Sequence, residues 1–437
     1  MNDLSRWVRW RMRSRRLLVI LLFTFILVLV VRAVFDVWEG RRLNEEITSL
    51  DKRFGRLDDW HIGPPQVARA ENRARLLAAA ASSLTTSESD LVAALNALRR
   101  SPANVTGDQT KAIMQENREA IELAIRAARR PRSNWRIAYE NFQWTPVPPL
   151  SELRQLSKLL AFAAREDTAA GRPDDAAADV TAGFAEAASL RTEPMVIITL
   201  VGTAIAVDQV EALQQVLVGG DPSTAALAAL ASAIDENLVE YPMRPAMIAE
   251  LKFTRSAWSR LERGQIEGLI TNKPTPVWMA GVVWLFRPVV RFVARRDLAD
   301  AASAIDAAST PRSRRAAVVL PPRVSDGPWW SPSHRLSLAG LSIEGYWRYG
   351  FSTLDSADAD AAVVRLSAIA VALRRFRLDH GAYPDSLDQV APTYLKAVPL
   401  DPFTDRQPEY ARQGAGFELR AQVPPARRAV GEWRVPR

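Results

Sequence analysis

The chain's three histidines, His61, His334 and His380, are the side chains best suited to move a proton or hold a metal near neutral pH. They stand far apart and show no H-x-x-x-H or H-E-x-x-H spacing, so the sequence contains no metal-ligand set. Each reads as a surface or turn residue. The absence of cysteine excludes thiolate chemistry and disulfides and fits any compartment. No G-x-S-x-G, phosphate-loop or dinucleotide fingerprint occurs. Carboxylates remain. The pairs Asp174/Asp175 and Asp358/Asp360 fall at expected helix starts, where the positive end of the helix dipole favours them. Capping therefore accounts for them without catalysis. A hydrolase built from carboxylates alone would leave no motif, so an enzyme site in the helical region stands as an alternative. No catalytic, cofactor-binding or metal-ligating residue is assigned.

The elements that would position such groups begin with a charge asymmetry. The net charge is +8, and the first sixteen residues carry six arginines (Arg6, Arg9, Arg11, Arg13, Arg15, Arg16) against Asp3. Only +3 is left for the rest of the chain, which argues against a nucleic-acid surface. Residues 17–35 form an apolar run interrupted by Thr24 and edged by Arg32, about long enough for a ~30 Å hydrocarbon core. A cleaved signal peptide shares such a start, but no small-x-small site follows, so an uncleaved anchor is expected. The basic residues 1–16 would then stay in the cytoplasm and the bulk of the chain would lie outside, in a bacterial periplasm.

Beyond the anchor, Leu43, Ile47, Leu50, Phe54 and Leu57 step by 4, 3, 4 and 3, a seam on a helix continuing out of the bilayer and packing onto the protein's own domain. Residues 36–65 form this juxtamembrane helix and a linker closed by the Gly63-Pro64-Pro65 stop. Residues 66–310 alternate helix-length apolar patterns with breaks, predicting helices over 68–82, 87–100, 110–129, 151–166, 174–190, 194–217, 223–237 and 244–263. Asp221 and Ser223 suit caps. The stretch around Gly171 and Ala176 weakly resembles a tetratricopeptide-type hairpin, without a recurring 34-residue spacing. Residues 277–286, VWMAGVVWLF, are too short to cross a membrane and read as a buried core helix, with an interfacial segment as the minority reading. Residues 311–355 are a Pro/Trp-rich linker.

The last segment, 356–437, reads as a separate small α+β module. Ala362, Leu366, Ile369, Leu373 and Phe376 make one apolar stripe on a helix that ends at Gly381. Asp385 is placed to cap a short turn that points Leu387 and Val390 inward, and EYARQGAGFELRA reads as two strands about a glycine turn. The order of Tyr383, Pro384, Leu387, Tyr394, Leu395, Pro399, Asp401, Pro402 and Tyr410 resembles the carboxy-terminal domain of the major pseudopilin of type II secretion systems, over about 357–421. The resemblance implies a fold and an envelope setting. The family's stem is missing, because more than 300 residues separate the anchor from the module and no carboxylate lies within 17–35. A calcium site is not carried over, since Glu418 and Glu432 are the only acids after Tyr410.

The expectation is a mainly α protein: a transmembrane helix, an irregular helical-hairpin domain and the pseudopilin-like module. It is read as a non-enzymatic envelope scaffold without cofactors. Its expected partners are the lipid bilayer and proteins of the envelope or secretion machinery, with no nucleic acid. Helical packing with no link to secretion is a further reading of the same features.

Overall fold

The computed structural model describes residues 2–59, 61–100, 107–139, 146–265, 267, 276–317, 344–424 and 430–435. Among these, the chain is mostly helical with one small sheet. The helices are α1 (Asn2–Phe54), α2 (Arg73–Ser82), α3 (Glu88–Arg100), α4 (Gly107–Glu116), α5 (Arg118–Ala128), α6 (Leu150–Ala169), α7 (Pro173–Arg191), α8 (Val196–Gly219), α9 (Thr224–Asp235), α10 (Arg244–Glu262), α11 (Val277–Ala308) and α12 (Glu344–His380). The strands β1 (Glu409–Gln413), β2 (Gly416–Arg420) and β3 (Glu432–Val435) follow. The chain divides into two compact units. The first holds Met1–Asp59, Leu251–Ala302 and Pro321–Trp347, and the second holds Trp60–Glu250, Ser303–Leu320 and Arg348–Arg437.

In the first unit, α1 is one continuous helix of 53 residues, about 80 Å at 1.5 Å per residue. Its apolar part is long enough to cross a membrane and none of that part is buried in the protein. Farther along, Leu43, Leu50 and Leu57 are buried while Ile47 and Phe54 are half-buried, so the expected seam is a packing face. Residues 277–286 correct the sequence reading. They open the 32-residue helix α11, and Trp278, Val282, Trp284, Leu285 and Phe286 are exposed rather than core, while Val283 is buried. Apolar content alone did not tell which side chains the protein covers.

In the second unit, α7 is the central helix and packs against α5, α6, α8 and α9. Its alanines permit close approach, and Ala176, Val180, Phe184 and Leu190 are completely buried. Helix α8 is also long and apolar enough for a membrane, but most of its apolar window is buried in this core. The expected helices recur with bounds shifted by a few residues, except that 110–129 is broken at Asn117. That buried side chain donates to the Ile113 carbonyl at 2.9 Å and accepts from Thr85 N at 3.0 Å, clamping the turn before α3, while Asn117 N keeps its bond to the Ile113 carbonyl at 3.2 Å. Gly171 and Gly381 take left-handed φ values of 71° and 75° at the ends of α6 and α12, where a β-carbon would be strained.

The same unit holds the carboxy-terminal module. Leu366, Ile369 and Leu373 are completely buried on α12. The sheet is antiparallel in the order β1-β2-β3, with Tyr410 opposite Leu419 and Leu419 opposite Trp433. Strand β3 was not anticipated. It sits on α8, where Gln214 Nε2 donates to the Val430 and Glu432 carbonyls, both at 3.5 Å. Most of the Pro/Trp-rich segment, 318–343, lies outside the described residues, as does His334.

Candidate functional site

The residues that carried the pseudopilin resemblance make several separate ties within the carboxy-terminal segment. Tyr383 is buried, its ring edge-on to Phe417 at 4.9 Å, and its hydroxyl accepts from Arg374 Nη1 at 2.9 Å. Tyr410 donates to the Pro384 carbonyl at 2.7 Å, and burial pushes its hydroxyl pKa up to about 12. Pro384 and Leu387 are buried beside it. Tyr394 donates to Asp379 at 2.6 Å, and Leu395, half-buried, continues from it with its amide on the Val390 carbonyl at 3.2 Å. Asp401 is the clamp of the set. It is buried, it accepts from Phe403 N at 2.8 Å and Gln422 N at 2.7 Å, and it thereby ties the Pro399–Pro402 turn to the end of β2. Asp385 does not cap the Leu387–Val390 turn as expected. Its carboxylate meets Arg412 at 2.9 Å, and the residue before the turn, Ser386, makes no side-chain cap.

Pro399 and Pro402 also line a cavity of about 310 Å³ within the second unit, with residues 238–241 and 310–312, Asp358, Arg365 and Asp405. Arg365 Nη1 donates to the Leu400 carbonyl at 2.6 Å, and burial holds its pKa below the ordinary guanidinium value. Arg314 pairs with Asp405 at 3.1 Å and Arg315 with Asp358. Asp358 and Asp360 thus lie within α12 rather than at its start, and their capping role is withdrawn; burial raises the Asp358 pKa despite Arg315. By contrast, Asp174 and Asp175 do occupy the first turn of α7, and Ser223 caps α9 by accepting from Ala226 N at 3.2 Å. Asp221 caps nothing but pairs with Arg374. Every charged group around this cavity named here holds another charge or a main-chain carbonyl, which is the chemistry of a seam.

Sequence reasoning missed the buried carboxylates. Glu193 accepts from Trp135 N at 2.7 Å and from the Tyr139 hydroxyl, while Trp135 Nε1 donates to Ser189 Oγ at 3.0 Å. Burial raises the Glu193 pKa, and these two donors lower it in part. The network pins the loop before α6 onto the end of α7. Glu186 is completely buried on α7, neither carboxylate oxygen has a hydrogen-bond partner, and burial, then Asp208, raises its pKa well above the usual range. Asp179 is raised in the same sense by burial, then by Asp167 and Asp175. Nothing in the sequence distinguishes these acids from solvated ones on a helix. Enclosed this fully, Glu186 cannot meet a substrate in this conformation. His61 is exposed, His380 stacks on Phe376 at 4.1 Å, and no group of three His, Asp or Glu able to hold a metal exists among the described residues.

The most organised polar cluster of the first unit lies where α1 leaves its apolar stretch. Asp36 is buried against Arg291 at 3.1 Å, Arg287, and Arg32 at 3.8 Å, and the fully buried Glu39 meets Arg295 at 3.2 Å. Arg287, Arg291 and Arg295 recur every four residues and so share one face of α11. Such groups bind helix to helix, and they offer no nucleophile next to a base. Comparison with family models, curated proteins and solved structures gives no match.

Proposed function

We propose that the chain is a single-pass protein of the bacterial inner membrane, with its amino terminus cytoplasmic and its second unit presented in the periplasm as a protein-binding scaffold. One observation carries this reading: α1 leaves its side chains from Leu17 to Val31 almost wholly uncovered, then turns amphipathic and buries Leu43 and Leu50 without a break in the helix. An apolar helix that the protein itself does not cover suits a bilayer, and the arginine-rich start suits cytoplasmic retention. The closest packing in the second unit joins α6, α7 and α8, neighbours one and two apart, and this supports a helical-hairpin interaction domain, although α2 also reaches α5, α6 and α7 farther along the chain.

The carboxy-terminal module, similar in its motif to the major pseudopilin, is proposed as a docking element for envelope or secretion-machinery proteins, without incorporation into a filament. The carboxylate-enzyme alternative draws no support from Glu186, which is 0 % exposed. Photocrosslinkers placed at the exposed Lys396 and Gln407 in native membranes test the scaffold reading. Capture of the same envelope protein from both sites is expected, and turnover of a substrate by the purified chain with no crosslinked protein would overturn it.

A further inference from the structure

Helices α1 and α11 run side by side in the same direction. Arg32 meets Trp284, Asp36 meets Arg287 and Arg291, and Glu39 meets Arg295, so both residue numbers rise together. Helix α10 runs the opposite way against α11: Trp258 Nε1 donates to Asp297 at 2.7 Å, Arg291 lies 4.0 Å from Glu262, and a β-carbon on Gly264 would stand 3.1 Å from Ala280 Cα. The end of α10 and the start of α11 thus both lie back along α1 toward its apolar stretch. From Trp284 to Trp278 is six residues, so the start of α11 lies about 9 Å below the level of Arg32, level with residue 26 in the middle of the 17–35 run.

The side chains exposed at the start of α11 are the wrong ones for water. Trp278 is 65 %, Val282 41 %, Leu285 48 % and Phe286 50 % exposed. Val34, Phe35 and Trp38 of α1 are also exposed. Tryptophan favours the headgroup boundary, where an apolar ring and a polar N–H are both accommodated, which suits Trp284 beside Arg32 near the edge of the run, whereas Trp278 lies deeper.

We infer that the start of α11 beds in the outer leaflet of the membrane that α1 crosses, giving the protein a second, non-spanning lipid contact through Trp278, Val282, Leu285 and Phe286. The inference rests on the anchor reading above. A second contact fixes the rotation and tilt of the first unit against the bilayer, which a lone helix does not.

The chain lacks cysteine, so single cysteines can be placed without background. The test uses full-length protein in vesicles of phosphatidylethanolamine and phosphatidylglycerol. Nitroxides are attached to Trp278→Cys, Val282→Cys and Leu285→Cys, with Phe25→Cys as the anchor reference and Glu45→Cys as the water reference. Oxygen accessibility several-fold above that of a water-soluble nickel chelate is expected at all three test sites, as at 25, with the reverse at 45. Water-like behaviour at 278, 282 and 285 with 25 still lipid-like would overturn the α11 contact and leave the anchor. Water-like behaviour at 25 as well would overturn both. Shielding of the three sites from oxygen and nickel alike would assign the face to protein, either a second copy or the chain's own 318–343 segment, and would also overturn the inference.

Discussion

Arg32 on α1 donates to the main-chain carbonyl of Trp284 on α11, the carbonyl that Pro288, having no N–H, leaves without its helical partner. The same guanidinium donates to the Leu285 carbonyl at 3.4 Å, lies 4.0 Å over the Trp284 ring and faces Asp36 at 3.8 Å. An arginine at the edge of an apolar run is usually explained by snorkelling to the surface. Here the charge finds its partners on a neighbouring helix 252 residues away, and a proline in that helix creates the main acceptor.

The pairing predicts a specific non-additivity. Arg32→Leu should cost about 1.5–3 kcal/mol, the range for losing a hydrogen bond to a charged group. Pro288→Ala restores an N–H to the Trp284 carbonyl, so in the Pro288→Ala background the same Arg32 change should cost much less. Thermal unfolding of the four full-length proteins in detergent measures the cycle, and equal costs in both backgrounds would show that the carbonyl is not what Arg32 serves.

Asp36 holds three arginines together, and they lose their common acceptor charge in Asp36→Asn. The loss is expected to destabilise the first unit by roughly 3–5 kcal/mol, as when one partner of a buried ion pair is removed. Hydrogen exchange on α11 should rise while exchange on α7 stays as it was. Unchanged α11 protection would make the ladder incidental.

Glu186 supplies a pH dependence with a definite sign. Burial raises its folded-state pKa above the unfolded 4.5, so the folded state holds the proton more tightly. Its favourable contribution is complete below 4.5 and is lost as pH climbs through the folded-state value. Glu186→Gln removes that titration, so unfolding temperature should fall less between pH 4.5 and 8 in the variant than in the parent. Parallel profiles would mean that the carboxyl is solvated.

Tyr383 separates ring packing from its hydroxyl. Tyr383→Ala should cost ~3–5 kcal/mol through the cavity left against Phe417, and Tyr383→Phe about 0.5–1.5 kcal/mol through the lost bond to Arg374. Leu373→Asp should expose α7 and α8 to proteolysis together with the sheet, because Arg374 and Gln214 join the module to the helices within one unit. Proteolysis confined to residues beyond 380 would instead mark the module as separable.

The helices were legible wherever punctuation was local: Ser223 before α9, Pro173 at the head of α7 and Gly381 after α12 each sit within a turn of the boundary they set. The two strands around Gly414 were legible for the same reason. What depends on distant partners was not. Asn117 breaks a good helical pattern because Thr85 and Thr86 happen to face it, and Asp358 looks like a cap until Arg315 arrives from another segment. The run at 277–286 is the most instructive failure. Its apolar content is that of a core helix, and only the register of Arg32 against Trp284 reveals which side chains the protein leaves uncovered.

A periplasmic scaffold requires that α1 span the membrane with its arginines inside. Alkaline phosphatase fused after Asp59 should be active in cells and the same enzyme fused after Met12 inactive, because phosphatase folds only outside the cytoplasm. Changing Arg11, Arg13, Arg15 and Arg16 to glutamine should then produce activity from both fusions, since the inside bias is largely theirs. Activity after Met12 and none after Asp59 in the unaltered chain would contradict the orientation and, with it, the periplasmic scaffold.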